Sequence, residues 1–136
     1  MTQRLRGMGI VAGHAEGHAM VTRENLAFAL VDPATGIVKQ PNHPWFGQSI
    51  AGKVIVFPSG QGSSSGSYWL LNLGTEGKAP AGIVNTQCDA VVIAGAVLAG
   101  IPLLQRLTPD PFTHVRDGDT VRVDGDTGDL DIVAKA

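Results

Sequence analysis

Short apolar runs, each closed off by Gly, Pro, Asp or Asn, recur along this chain and limit its folding more than any other feature. They read "GIVAG", "HAMVT", "LAFALV", "GKVIVF", "AGIVN", "IPLL", "TVRVDG" and "LDIVA". Runs of this length between turn formers are strand signals. Only two segments have a helical look. The first covers about Ser65 to Leu73. The second covers about Asp89 to Leu98, where "DAVVIAGAVLAG" is apolar nearly all round, which implies burial, although its β-branched residues leave a strand reading open. "VDPATGIV" carries Asp-Pro and Thr-Gly turn signals, and "VDGDTGDLDIV" reads as a tight hairpin with Asp-Gly at its bend. The predicted fold class is mostly β with two helices, a small barrel or packed sheet flanked by helices. No internal repeat or linker divides the chain, so residues 1–136 are expected to form a single domain.

A hydrophobic content of 43% with 16% charged residues excludes a disordered chain, and a formal charge of -2 gives no electrostatic ground for nucleic acid or an acidic membrane surface. Small molecules or proteins are the expected partners. Cys88 is the single cysteine, which can form no internal disulfide and cannot by itself hold zinc or an iron-sulfur cluster. The apolar run in "MTQRLRGMGIVAG" is brief and broken by glycine, too short for a signal peptide or a membrane span, so the expected location is cytoplasmic.

"FPSGQGSSSGSYWLLNLG", Phe57 to Gly74, reads as strand end, small-residue loop and helix start. Such a loop leaves backbone N–H groups uncovered at a helix N-terminus, a favourable place for an anion. A plain turn, with Gly supplying unusual dihedrals and Ser capping the helix, is the competing reading. The loop matches neither phosphate motif: no Lys precedes Ser or Thr as in a P-loop, and Gly60, Gly62 and Gly66 are one residue too widely spaced for the dinucleotide fingerprint.

Other clusters are weaker. His14, Glu16 and His18 would share one face of a strand, as metal ligands could, but solvated positions of a half-buried strand explain them better, and no metal site is expected. The aspartates Asp117, Asp119, Asp124, Asp126, Asp129 and Asp131 lack the spacing of a calcium loop. Trp45 and Phe46 suit either a minor core or a partner surface.

The opening "GIVAGHAEGHAMV", together with "SIAGKVIVFPSGQGSSSGSYWL", "KAPAGIVN" and "AGAVLAGIPLL", resembles the swivel domain, or small subunit, of the aconitase X family of hydro-lyases. The likeness spans nearly the whole chain. It implies a swivelling β/β/α fold and a large partner subunit that carries an iron-sulfur cluster. It also implies dehydration of a small hydroxy acid, either cis-3-hydroxy-L-proline or 5-phosphomevalonate. "GQGSS" is similar to the "GEGSS" loop of ordinary aconitase, whose first serine is the catalytic base; the match implies that Ser63 is the proton acceptor, with Gly62, Ser64 and Ser65 placed to bind substrate. Phosphomevalonate-type loops read "GKGST", whereas this chain has Gln61 and Ser64, which favours the substrate without phosphate, cis-3-hydroxy-L-proline. From Ile83 onward the chain also resembles phosphohistidine swivel domains, but between Ile83 and Pro102 it has no histidine to phosphorylate, which reduces that likeness to shared fold. A noncatalytic scaffold of the same fold is the remaining alternative.

Overall fold

The structure, a computed structural model, describes residues 2–136. Among them, β1 (Gln3–Val11), β2 (His14–Val21), β3 (Val54–Phe57), β4 (Gly82–Asn85), β5 (Leu103–Thr108), β6 (Thr120–Asp124) and β7 (Asp129–Ala134) close into a barrel in the order β1-β5-β4-β3-β2-β6-β7. Every strand-like run but one lies on a strand. The exception is "LAFALV", where Phe28–Leu30 forms one 3-10 turn while Leu26 and Val31 make isolated bridges to Gly60 and Val38. Leu26, Ala27 and Phe28 are all buried in succession, which the two-sided alternation of a strand does not permit against one core. Phe28 instead turns its ring edge onto Phe57, with centroids 6.0 Å apart.

Two helices fall where expected, α1 (Gly66–Thr75) and α2 (Ala90–Ala99). A third, α3 (Pro111–His114), was not foreseen in the two-helix reading; it is a single turn with Pro111 in its first turn and Asp110 accepting the Phe112 N–H at 2.9 Å. The expected burial of α2 holds for one face only. Val92, Gly95 and Ala96 are buried against α1 and the barrel, whereas Val97 and Leu98 are about 60% and 59% exposed. Apolarity all round does not bring a second covering element, and this chain supplies none.

Strands β2, β3, β4 and β5 run parallel, with α1 and α2 as the crossovers from β3 to β4 and from β4 to β5. The remaining pairs, β1 with β5 and β7, and β6 with β2 and β7, are antiparallel. Because β3 and β4 are covered on both faces, all their residues are buried. Their side chains alternate between two cores. Val54, Val56 and Val84 join Leu5, Leu104, Val121 and Leu130 in one cluster, while Ile55, Phe57 and Ile83 join Leu70, Leu73 and Val92 in the other. Trp45 and Phe46 part company: Trp45 is buried, its ring edge against Phe57, and Phe46 is exposed.

At the β6–β7 end the predicted hairpin forms, with the Gly128 N–H bonding back to the Asp124 carbonyl. Gly125 is pressed onto the end of β1, where a Cβ would strike the Val11 carbonyl, and a Cβ on Gly9 would strike the Gly125 carbonyl. Gly47 differs: its φ is positive, at 83°, and no atom lies within 4 Å of its missing Cβ. Gly125→Ala is therefore expected to cost about 3 kcal/mol in chemical denaturation, through overpacking against backbone that cannot rotate away. Gly47→Ala, with conformational strain alone, should cost about 1 kcal/mol.

Candidate active site

The C-terminal ends of β2, β3, β4 and β5 lie together, since parallel strands share a direction, and ligands of open α/β sheets collect at such ends. The loop after β3 holds the serines. It leaves the barrel at Pro58, its Gln61 N–H bonds the Leu26 carbonyl at 3.1 Å, and Gly62 turns the chain with a φ of 93°. Gln61, Gly62, Ser63, Ser64 and Ser65 are all exposed. The Ser63 Oγ accepts the Ser65 N–H at 3.2 Å, and the Ser63 carbonyl accepts the Gly66 N–H at 3.0 Å. Ser65 stands at the N-cap of α1 but makes no capping bond with its side chain. The capping role expected of a plain turn is thus not filled by that residue, and its hydroxyl is free for other contacts.

Asp89 holds this loop from the far side. One carboxylate oxygen caps α2 by accepting the Val92 N–H at 2.9 Å, and the other accepts the Ser59 hydroxyl at 3.2 Å. A Cβ on Gly60 would collide with that second oxygen, at 2.6 Å, so glycine is what lets loop and carboxylate pack together. An Asp directly before an apolar helix is a legible cap signal; its second bond, to a loop distant in sequence, is not.

Beside the loop opens a cleft of about 470 Å³, lined among others by Arg23, Pro58, Asn85, Thr86 and Arg106. Backbone bonds link it to the serine loop: the Thr86 N–H donates to the Pro58 carbonyl at 3.0 Å, and the Arg106 N–H to the Thr86 carbonyl at 3.2 Å. Sequence reasoning singled out none of these cleft residues. Nothing in the local pattern around either arginine distinguishes it from a surface charge.

Cys88 does not suit metal or cluster binding. Burial, with the Asp89 charge beside it, pushes its thiol up to about 12, so the ligating thiolate is disfavoured, and no second cysteine exists. The residues of this chain therefore do not fit an iron-sulfur cluster.

An exposed hydroxyl-bearing loop over the parallel ends of a closed barrel with outer helices is the architecture of a swivelling β/β/α domain. More particularly, the chain belongs to the aconitase X swivel-domain family, which it matches over residues 4–132. It is 41% identical over 131 residues to the phosphomevalonate dehydratase small subunit of Methanosarcina mazei, covering 96% of this chain and 91% of that one. To the subunit of the same name from Pyrococcus furiosus it is 41% identical over 133 residues, 97% of each chain. The crystal structure of Thermococcus kodakaraensis aconitase X in its holo-form superposes with a TM-score of 0.91 at 41% identity, covering 96% of this chain and 98% of that one. These relatives are dehydratase subunits, in agreement with the hydro-lyase reading of the sequence. The two subunits are named for phosphomevalonate, not for a hydroxyproline.

His14, Glu16 and His18 share the exposed face of β2, as their spacing predicts, yet each has its own partner. Glu16 accepts from Arg122 at 2.9 Å, His18 lies 3.3 Å from the Gly118 carbonyl, and His14 Nε2 lies 2.8 Å from Asp126. The three side chains that do converge are His14, Asp124 and Asp126, an exposed acidic group on the hairpin. The hydrogen bond to Asp126, helped by the Asp124 charge, raises the His14 pKa above its ordinary 6.5, and the same bond depresses that of Asp126. The His14 contribution to stability is present below its unfolded pKa and lost as pH rises through the raised folded value. That of Asp126 is present above its unfolded pKa and lost as pH falls through the depressed one. An NMR titration should give a His14 midpoint above 6.5 that falls toward the ordinary value in Asp126→Asn, with the Asp124 charge still holding part of the rise.

Proposed function

We propose that this chain is the small subunit of a two-chain aconitase X-type hydro-lyase that dehydrates a phosphorylated hydroxy acid of the 5-phosphomevalonate type, with Ser63 as proton acceptor. The observation that carries the reading is the Ser63 hydroxyl itself, exposed ahead of α1 and already accepting a backbone N–H from Ser65. A serine is a weak base at neutral pH. Negative charge on its oxygen is stabilised by that N–H and by the positive end of the helix. In the reaction, the Ser63 alkoxide takes a proton from carbon, the electron pair of that C–H bond forms the C=C bond, and the neighbouring C–O bond breaks with its pair on the departing hydroxide; the hydroxide takes one proton from solvent to leave as water, and Ser63 returns its own proton to solvent.

Gly62 gives the backbone close approach to the ligand, and the hydroxyls of Ser64 and Ser65 donate to the substrate carboxylate. The group that receives the leaving hydroxyl stands on the large subunit, as an iron-sulfur cluster in the family reading, because this chain has no donors for one. The isolated chain is accordingly inert. The substrate follows the names of the relatives and replaces the preference for cis-3-hydroxy-L-proline drawn from Gln61; one loop position is weaker ground than about 40% identity along nearly the whole chain.

In the reconstituted complex, Ser63→Ala should lower turnover of 5-phosphomevalonate by at least roughly 10²-fold and abolish exchange of the substrate's α-proton with solvent, with subunit assembly unchanged. Ser64→Ala and Ser65→Ala should mainly raise KM. Near-normal exchange in Ser63→Ala would move the base to the partner, and turnover of cis-3-hydroxy-L-proline alone would restore the earlier substrate.

A further inference from the structure

We infer that the cleft beside the serine loop is a phosphate subsite, in which Arg23 and Arg106 hold the phosphate monoester of the substrate. This rests on the phosphorylated substrate proposed above and assigns to named residues the group that makes that substrate distinct.

The first ground is the placement of charge. Arg23 follows β2 and Arg106 lies near the end of β5, and both line the one cleft at the C-terminal ends of the parallel strands. Neither guanidinium takes part in an ion pair or side-chain hydrogen bond among the described residues; Arg4 and Arg122 are each paired with carboxylates, and Arg6 and Arg116, also unpaired, do not line the cleft. Arg23 instead lies over a ring, its Cζ 5.3 Å from the centre of Phe112. The carboxylate on the rim, Asp110, has one oxygen engaged by the Phe112 N–H. Two unpaired guanidinium groups in one cleft suit a dianion whose oxygens accept from both.

The second ground is the backbone at Arg106. Strand β1 pairs Arg6 with Thr108 and Met8 with Gln105, so Arg106 and Leu107 together oppose Gly7: a bulge. Arg106 sits in it with a φ of 57°, where glycine is the usual occupant. A Cβ on Gly7 would strike the Gln105 carbonyl and approach the Arg106 carbonyl to 2.9 Å, which is how the partner strand accommodates the distortion. An arginine is kept at a conformational cost in a position whose effect is to re-aim a side chain at the edge of the cleft.

The third is Asn85. Its side chain is 1% exposed, its amide donates to the Phe57 carbonyl at 3.0 Å, and its Oδ1 is buried with no hydrogen-bond partner. Asn85 therefore forms the closed floor of the cleft, with its amide donors spent on the Phe57 and Val84 carbonyls, and the two guanidinium groups are left as the donors that face a ligand. The loop position that lacks a lysine, Gln61, is then no obstacle to a phosphorylated substrate.

The test has two arms. In the first, the full chain is titrated with inorganic phosphate and followed by amide NMR shifts. Saturable shifts are expected at Arg23, Asn85, Thr86 and Arg106, with affinity lowered at least tenfold in Arg23→Gln and in Arg106→Gly, and unchanged in Lys39→Gln. Arg106→Gly separates a ligand role from a structural one. It relieves the left-handed backbone and should keep or raise the thermal midpoint while losing phosphate. Shifts that never saturate, or that persist unweakened in both arginine variants, overturn the subsite. In the second arm, Arg106→Gly in the reconstituted complex should raise KM for 5-phosphomevalonate at least tenfold and leave kcat within threefold, because phosphate is gripped alike in ground and transition states. An unchanged KM overturns the subsite while leaving the dehydratase reading intact. A wild-type complex that fails to turn over 5-phosphomevalonate removes that substrate reading, and the phosphate titration then decides the subsite on its own.

Discussion

Parallel pairing among β2, β3, β4 and β5 is the constraint on which the rest of this structure depends. A parallel strand cannot be entered from a tight turn, so each connection must travel back outside the sheet: residues 22–53 do so between β2 and β3, α1 between β3 and β4, and α2 between β4 and β5. Three results follow from the one requirement. The helices supply an outer layer that buries Ile55, Phe57 and Ile83, the barrel closes over its own interior on the other face, and the strand ends gather at a common rim. The serine loop and the arginine cleft both occupy that rim.

What the sequence disclosed and what it withheld divide along the same line. A strand run such as "KVIVF" declares itself because its neighbours are turn formers, and the serine loop because it changes composition within a few residues. "LAFALV" misleads since apolarity reports burial and not the shape of the burial: Leu26, Ala27 and Phe28 cross the barrel rim as a bent segment. The outer face of α2 misleads in the opposite direction, because apolar content says nothing about what covers it. Ser63 was nameable as a candidate base through the resemblance of "GQGSS" to the loop of ordinary aconitase. Arg23 and Arg106 were not, since they meet only when the barrel closes, and the bulge that turns Arg106 carries no glycine at its own position to announce it.

Buried and half-buried polar groups have distinct duties. Asp89 is satisfied on both oxygens, and so fastens α2 to the loop after β3. Asn85 is satisfied through its amide only. Ahead of β6, beside the last part of β2, Asp119 is buried, yet burial's upward push on its pKa is outweighed by the Arg116 N–H, Lys135 and the Ala136 N–H, which hold it below the ordinary value. That carboxylate ties the chain's end to β6 and is fully used. The contrast separates polar groups that complete the fold from one whose hydrogen-bonding capacity is left over.

The backbone bonds from Pro58 to Thr86 and from Thr86 to Arg106 have a mechanical meaning. They stitch the connections following β3 and β4 to strand β5, so the root of the serine loop and the backbone of Arg106 are held in a single plate. A ligand bridging the plate would feel a ruler of fixed length, one that selects by molecular reach as much as by charge.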